Sequence, residues 1–149
     1  MIDQLYQKAI LKQASAATGN GKLEAADCVL TIHNPLCGDR ITIYLNLNGG
    51  EITEFSHETK ACVLCQASAS ILGFCSTGET EETIQLIQDK LKQKLTQKNW
   101  PEEKHAPHEW PKTKWNALNI FQPVSDHKTR YSCVTLPFEA ILKALRGEG

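Results

Sequence analysis

The sequence predicts an α+β fold: a small antiparallel three-stranded sheet with helices packed on one face. Two observations lead there. Between residues 27 and 56, apolar and polar side chains alternate, and turn residues cut the run into short strands. From Cys62 onward the apolar spacing becomes helical, so helices follow the strands instead of alternating with them. At 149 residues the chain suits one domain with a substantial core.

Taken in order, Ile2, Leu5, Tyr6 and Ala9 recur at helical spacing and predict an amphipathic helix over roughly the first 17 residues. Thr18-Gly19-Asn20-Gly21 stops it, glycine tolerating the left-handed backbone that ends helices. Residues 27–33 predict a strand with Cys28, Leu30 and Ile32 on one face. The Asn34-Pro35 turn follows. Residues 40–47 alternate most cleanly, with Ile41, Ile43, Leu45 and Leu47 against Thr42, Tyr44 and Asn46. Asn48-Gly49-Gly50 is a hairpin turn, and 51–56, with Ile52 and Phe55, returns as the third strand.

Residues 63–72 predict a helix rich in Ala and Ser, which tight packing against the sheet explains, with Gly73 and Gly78 flanking its end. Residues 80–98 predict another, with Ile84, Ile87, Leu91 and Leu95 on one face. Composition then shifts. Residues 99–126 hold Trp100, Trp110 and Trp115 with four prolines, and read as a long aperiodic insertion packed down in part by its tryptophans. A last helix is expected over 137–146, Pro137 suiting its first turn and Phe138, Ile141, Leu142 and Leu145 its buried stripe.

Bulk properties exclude several classes. A formal net charge of −1 with scattered charges leaves no footprint for nucleic acid. No apolar run is long enough to cross a bilayer, so no membrane partner is expected. Met1-Ile2-Asp3-Gln4-Leu5 lacks the basic and apolar regions of a secretory signal. The six cysteines therefore read as thiols or metal ligands in a reducing compartment, the cytoplasm, and not as a disulfide frame.

Three strings carry the chemistry. Asn34-Pro35-Leu36-Cys37-Gly38-Asp39 sets a thiol and a carboxylate two positions apart in a turn. Cys62 precedes a helix, whose N-terminal dipole favours thiolate. Arg130-Tyr131-Ser132-Cys133-Val134-Thr135-Leu136-Pro137 supplies a third cysteine. Cys37, Asp39, Cys62 and Cys133 form a four-ligand set that suits zinc, and the thiolates would equally suit iron and sulfide.

These strings, with Ala67-Ser68-Ala69-Ser70 after Cys62, resemble the U-type iron–sulfur cluster assembly proteins: IscU, the N-terminal part of NifU, and SufU. The resemblance runs in order through nearly the whole chain and maps the family's metal ligands onto Cys37, Asp39, Cys62 and Cys133. It looks closest to SufU. Ser132 stands where IscU-type scaffolds have histidine, the Leu-Pro-Pro-Val-Lys chaperone motif is missing, and the 99–126 segment resembles the SufU insertion. Ala61, where the family usually has glycine, and the extra Cys65 depart from the pattern.

The resemblance implies a zinc-dependent sulfurtransferase that accepts persulfide sulfur from a PLP-dependent cysteine desulfurase and passes it to downstream iron–sulfur assembly. A desulfurase histidine would displace Cys37 from zinc, freeing that thiolate as the acceptor. Asp39, a hard oxygen ligand among sulfurs, would keep the site exchangeable. The alternative is a non-enzymatic scaffold for a [2Fe–2S] cluster on the same cysteines. A purely structural zinc site would more often be closed by four cysteines or a cysteine/histidine mix. The expected desulfurase contact lies around Leu36 and Val63-Leu64, read as exposed apolar residues.

The remaining candidates have plainer readings. Cys28 is expected as a buried inert thiol, Cys65 as core packing ahead of a redox pair with Cys62, and Cys75 as a bystander. His33 and His57 are expected near the site but not on the metal, and His105, His108 and His127 in solvent. Arg130 and Lys60 could face the site anion or form surface ion pairs.

Overall fold

The structure is a computed structural model that describes residues 7–34, 38–100 and 110–147. The element order is α1 (Lys8–Ala16), β1 (Cys28–Asn34), β2 (Asp39–Asn48), β3 (Glu51–Lys60), α2 (Val63–Cys75), α3 (Glu81–Gln97), two 3-10 segments (Thr113–Asp126 and Lys128–Arg130) and α4 (Tyr131–Leu145). The strands form one antiparallel sheet in the order β1-β2-β3. α4 packs on β1 and β2, and α2 on β3, giving the predicted α+β arrangement.

Strand register decides which side chains face the helices. Leu30 pairs with Ile43 and Ile43 with His57; Ile32 pairs with Ile41; Cys28 pairs with Leu45 and Leu45 with Phe55. Directly paired residues share a face, so these rows form the floor of the core. Asn34 pairs with Asp39 in the same phase, which carries a polar pair to the end of that apolar face. Both are buried. On the opposite face Thr31 and Thr42 share a hydroxyl hydrogen bond of 2.7 Å. Gly49 and Gly50 take φ of 60° and 84°, as the tight hairpin requires. β3 extends four residues beyond the predicted 51–56, to Lys60.

α2 is buried nearly all round, from Leu64 and Cys65 through Ala67, Ser68, Ala69, Ser70, Ile71 and Leu72. Its small residues admit α1 and α4 closely as well as the sheet, and its hydroxyls are satisfied. Ser68 Oγ donates to the Val134 carbonyl at 2.6 Å, while Ser70 Oγ accepts from Thr18 N and Gln13 Nε2, both at 3.0 Å. Gly73 lies inside this helix, not beyond it. A Cβ there would stand 2.0 Å from the Thr18 carbonyl oxygen, so only glycine allows this approach. α3 matches expectation, with Thr80 as N-cap and Ile84, Ile87, Leu91 and Leu95 buried.

Four expectations need correction. The buried face of α1 runs through Ile10 and Ala14; Ala9 is exposed, while Ile2, Leu5 and Tyr6 lie outside the described residues. The residue that ends α1 in the left-handed region is Ala17, with φ 45°. In the Trp/Pro-rich stretch, Thr113–Asp126 is a 3-10 helix, not an aperiodic loop. Its buried residues Trp115, Leu118, Phe121 and Val124 recur every third position, the period of a 3-10 turn. Finally, α4 starts at Tyr131, six residues ahead of Pro137, so Pro137 lies inside it and Cys133 in its first turn. Among the described residues no helix is long and apolar enough to cross a membrane.

Candidate metal centre

Three elements converge at one end of the sheet. Asp39 opens β2, Cys62 is the N-cap residue of α2, and Cys133 lies in the first turn of α4. One ligand atom from each falls within 4.8 Å of the other two. Zinc bonds of 2.0–2.3 Å in a tetrahedron separate ligand atoms by about 3.3–3.8 Å, so modest contraction would seat an ion. Two sulfurs and a carboxylate also make a chemically suitable donor set. Cys37 lies outside the described residues, as do Leu36, His105 and His108. Of the expected desulfurase contact, Leu64 is buried in the core and Val63 half-buried against it, not exposed.

Asp39 and Cys62 are already joined. Asp39 Oδ1 accepts the Cys62 backbone N–H at 3.0 Å, and the Cys62 thiol donates to Oδ2 at 3.5 Å. The Cys62 thiol falls from its ordinary 9.0 to about 7. Its contact with the Cys133 thiol is the main cause; burial opposes it, the Cys65 backbone amide assists, and the Asp39 carboxylate opposes. Cys133 is buried, with Arg130 Nη1 4.0 Å from its sulfur. Asn34 Nδ2 donates to Ser132 Oγ at 2.9 Å, linking the end of β1 to the residue before Cys133.

The other candidates lie elsewhere. Cys65 and Cys75 are buried in the core, and Cys28 packs against it from β1. Burial pushes the Cys75 thiol up to about 12, and its Sγ contacts the Lys114 carbonyl at 3.4 Å. His57 is buried away from the ligand cluster, its Nε2 3.0 Å from the Thr18 carbonyl and its Nδ1 2.8 Å from Thr59 Oγ1. His33 and Lys60 are exposed. His127 is not solvent-facing as expected: it is half-buried, with Nε2 enclosed.

Sequence reasoning missed three polar features. The Asn34–Ser132 bond joins residues 98 positions apart and leaves no local signal. Glu79 is buried with Lys112, Lys114 at 3.5 Å and Trp115 Nε1 at 3.4 Å around its carboxylate. Lys94 is also buried, its Nζ 5.8 Å from the Trp100 ring and 5.5 Å from the Trp110 ring. A lysine near a helix end beside a tryptophan cluster hints at such a contact but does not specify it.

Comparison with known proteins gives a consistent result. Over 142 residues the chain is 27% identical to the iron–sulfur cluster assembly scaffold protein IscU of Thermotoga maritima, covering 95% of this chain and 93% of that one. It is 24% identical over 147 residues to the zinc-dependent sulfurtransferase SufU of Bacillus subtilis, covering 99% and 93%. The crystal structure of the N-terminal part of a NifU-like protein from Brucella abortus superposes with a TM-score of 0.83 at 33% identity, covering 97% of this chain and 94% of that one. The family described as NifU-like N terminal domain matches residues 5–145, and the chain belongs to it.

Proposed function

We propose that this protein is a zinc-dependent acceptor of persulfide sulfur in iron–sulfur cluster assembly. The family is that of the IscU and SufU assembly proteins; the finer assignment rests chiefly on one observation. Asp39, Cys62 and Cys133 converge, with the Cys62 thiol lowered to about 7 chiefly by its contact with the Cys133 thiol. Cys37, two positions before Asp39 in the sequence, would complete the ligand set and act as the acceptor. Zinc, when bound, would keep the ligand sulfurs as thiolates at neutral pH. Ser132, in place of the histidine of IscU-type scaffolds, supports the SufU-like reading.

The donor is a PLP-dependent cysteine desulfurase carrying a persulfide, and the setting is the cytoplasm. The Cys37 thiolate attacks the terminal persulfide sulfur. A new S–S bond forms at Cys37, the desulfurase S–S bond breaks, and its electron pair leaves on the desulfurase cysteine as thiolate. The persulfide on Cys37 is then passed to the downstream assembly complex.

The full-length similarity to the T. maritima scaffold favours a second reading, assembly of a [2Fe–2S] cluster on the same thiols. Metal and acid-labile sulfide, measured in protein from cells without zinc supplementation and beside Cys37→Ala, separate the two. Near-stoichiometric zinc without sulfide, and the gain of one sulfur atom at Cys37 after incubation with desulfurase and cysteine, support transfer. Iron with matching sulfide, lost in the variant, supports the scaffold. Neither metal in either protein removes both readings.

A further inference from the structure

We propose that the Asn34–Ser132 hydrogen bond is a positioning latch, holding the Asp39 and Cys133 arms at the spacing one ion can bridge. This rests on the metal-site reading. Three arms carry the described ligands: the Asp39 end of the sheet, the N-terminus of α2, and the N-terminus of α4. A preorganised site needs each pair of arms fastened. Asp39 and Cys62 are fastened by the 3.0 Å bond from the Cys62 amide to the carboxylate. The helices of Cys62 and Cys133 are fastened by Ser68 Oγ on the Val134 carbonyl at 2.6 Å.

The third side is Asn34–Ser132. Asn34 is the ladder partner of Asp39, and its carbonyl accepts the N–H of Gly38, the residue before Asp39, at 2.9 Å. Its side-chain amide reaches across to Ser132, directly before Cys133, at 2.9 Å. Asn34 is 6% exposed and Ser132 half-buried, so water competes with this bond only in part. One asparagine therefore sets the carboxylate arm by its backbone and the thiol arm by its side chain.

The test compares wild type, Ser132→Ala and the conservative Ser132→Thr. Three quantities are measured: zinc transfer to a chromogenic chelator, the thiolate-to-cobalt charge-transfer band after cobalt loading, and the thermal midpoint of metal-free protein. Ser132→Ala is expected to release zinc about ten-fold faster or more, the scale of partners that orient metal ligands, and to weaken the cobalt band. Ser132→Thr restores both, and metal-free midpoints stay within about 4 °C of wild type. Release at the wild-type rate in Ser132→Ala overturns the latch. So does a Ser132→Thr variant as leaky as Ser132→Ala, or faster release matched by a large fall in the metal-free midpoint. If wild type binds neither zinc nor cobalt, the metal reading falls and takes the latch with it; normal binding by wild type and Ser132→Ala alike removes the latch alone.

Discussion

Gly73→Ala sets two opposite effects against each other. In a helix interior, alanine normally gains about 1 kcal/mol over glycine. At Gly73 the new methyl would lie 2.0 Å from the Thr18 oxygen, where ordinary contact begins near 3.4 Å, so backbone must retreat by 1.4 Å, the difference. The obstacle is a carbonyl and no side-chain rotation relieves it. Overpacking of this kind costs about 1–3 kcal/mol. The retreat also disturbs the His57 Nε2 contact to the Thr18 carbonyl and the Thr18 amide bond to Ser70 Oγ, each 3.0 Å long. Each contributes about 1 kcal/mol. Crowding outweighs propensity, and a net loss of about 2–4 kcal/mol is expected. Urea unfolding followed by tryptophan fluorescence reads it as a lower midpoint. An unchanged or raised midpoint would refute the close approach of α2 to the end of α1.

Three further predictions follow from buried groups. Glu79→Ala removes the acceptor of Trp115 Nε1 and the counter-charge of Lys112 and Lys114; because Lys112 can turn into water, a loss of about 2–3 kcal/mol is expected by urea unfolding, below that for a fully buried pair. A loss under about 0.5 kcal/mol would mean the carboxylate is not the anchor of the Thr113–Asp126 helix. Burial holds His57 below its ordinary 6.5, so the unfolded chain takes up this proton first as pH falls. The stability His57 contributes is thus present above pH 6.5 and is lost as pH falls from there through the lower native value, by at most about 1.4 kcal/mol per pH unit. His57→Gln should flatten that slope, and an identical slope in the variant would show that the proton binds elsewhere. In metal-free protein at pH 7.5, iodoacetamide should label Cys62 well before Cys75, whose thiol sits near 12; peptide mass spectrometry showing the reverse order would contradict both environments.

The sheet was legible because its period of two is short and holds through β1 and most of β2, the register shifting only between Asn46 and Leu47 near the hairpin. Ile41, Ile43 and Leu45 face the core, and two positions back the same phase delivers Asp39 to that face, an inference from β2 alone. The Trp115-Leu118-Phe121-Val124 stripe was equally regular, but at a spacing of three, which a search at 3.6 reads as noise. Pro137 misled for a physical reason. Proline suits a first helical turn, yet here α4 accepts it in the interior, where it cannot donate to the Cys133 carbonyl. For the site, the motifs singled out Asp39, Cys62 and Cys133, which the structure brings together, while the bonds that join their elements stayed hidden. Ser68–Val134 and Asn34–Ser132 join residues 66 and 98 positions apart, and serine and asparagine are common enough that no pattern marks those pairs.

The sheet is built from three strands consecutive in the chain, whereas the candidate metal centre needs α4. On a ribosome these parts appear at different times. Hairpins close in microseconds, and Lys60 completes the sheet's sequence. Cys133 is added 73 residues after Lys60, which takes about 4–15 s at ordinary rates of synthesis. During that interval the chain lacks the helix that covers β1 and β2 and brings Cys133 to Asp39 and Cys62. The order of synthesis thus keeps the three-residue cluster from assembling until α4 has been made, and a chain halted in the 3-10 segment would hold two of its three described residues and an open core.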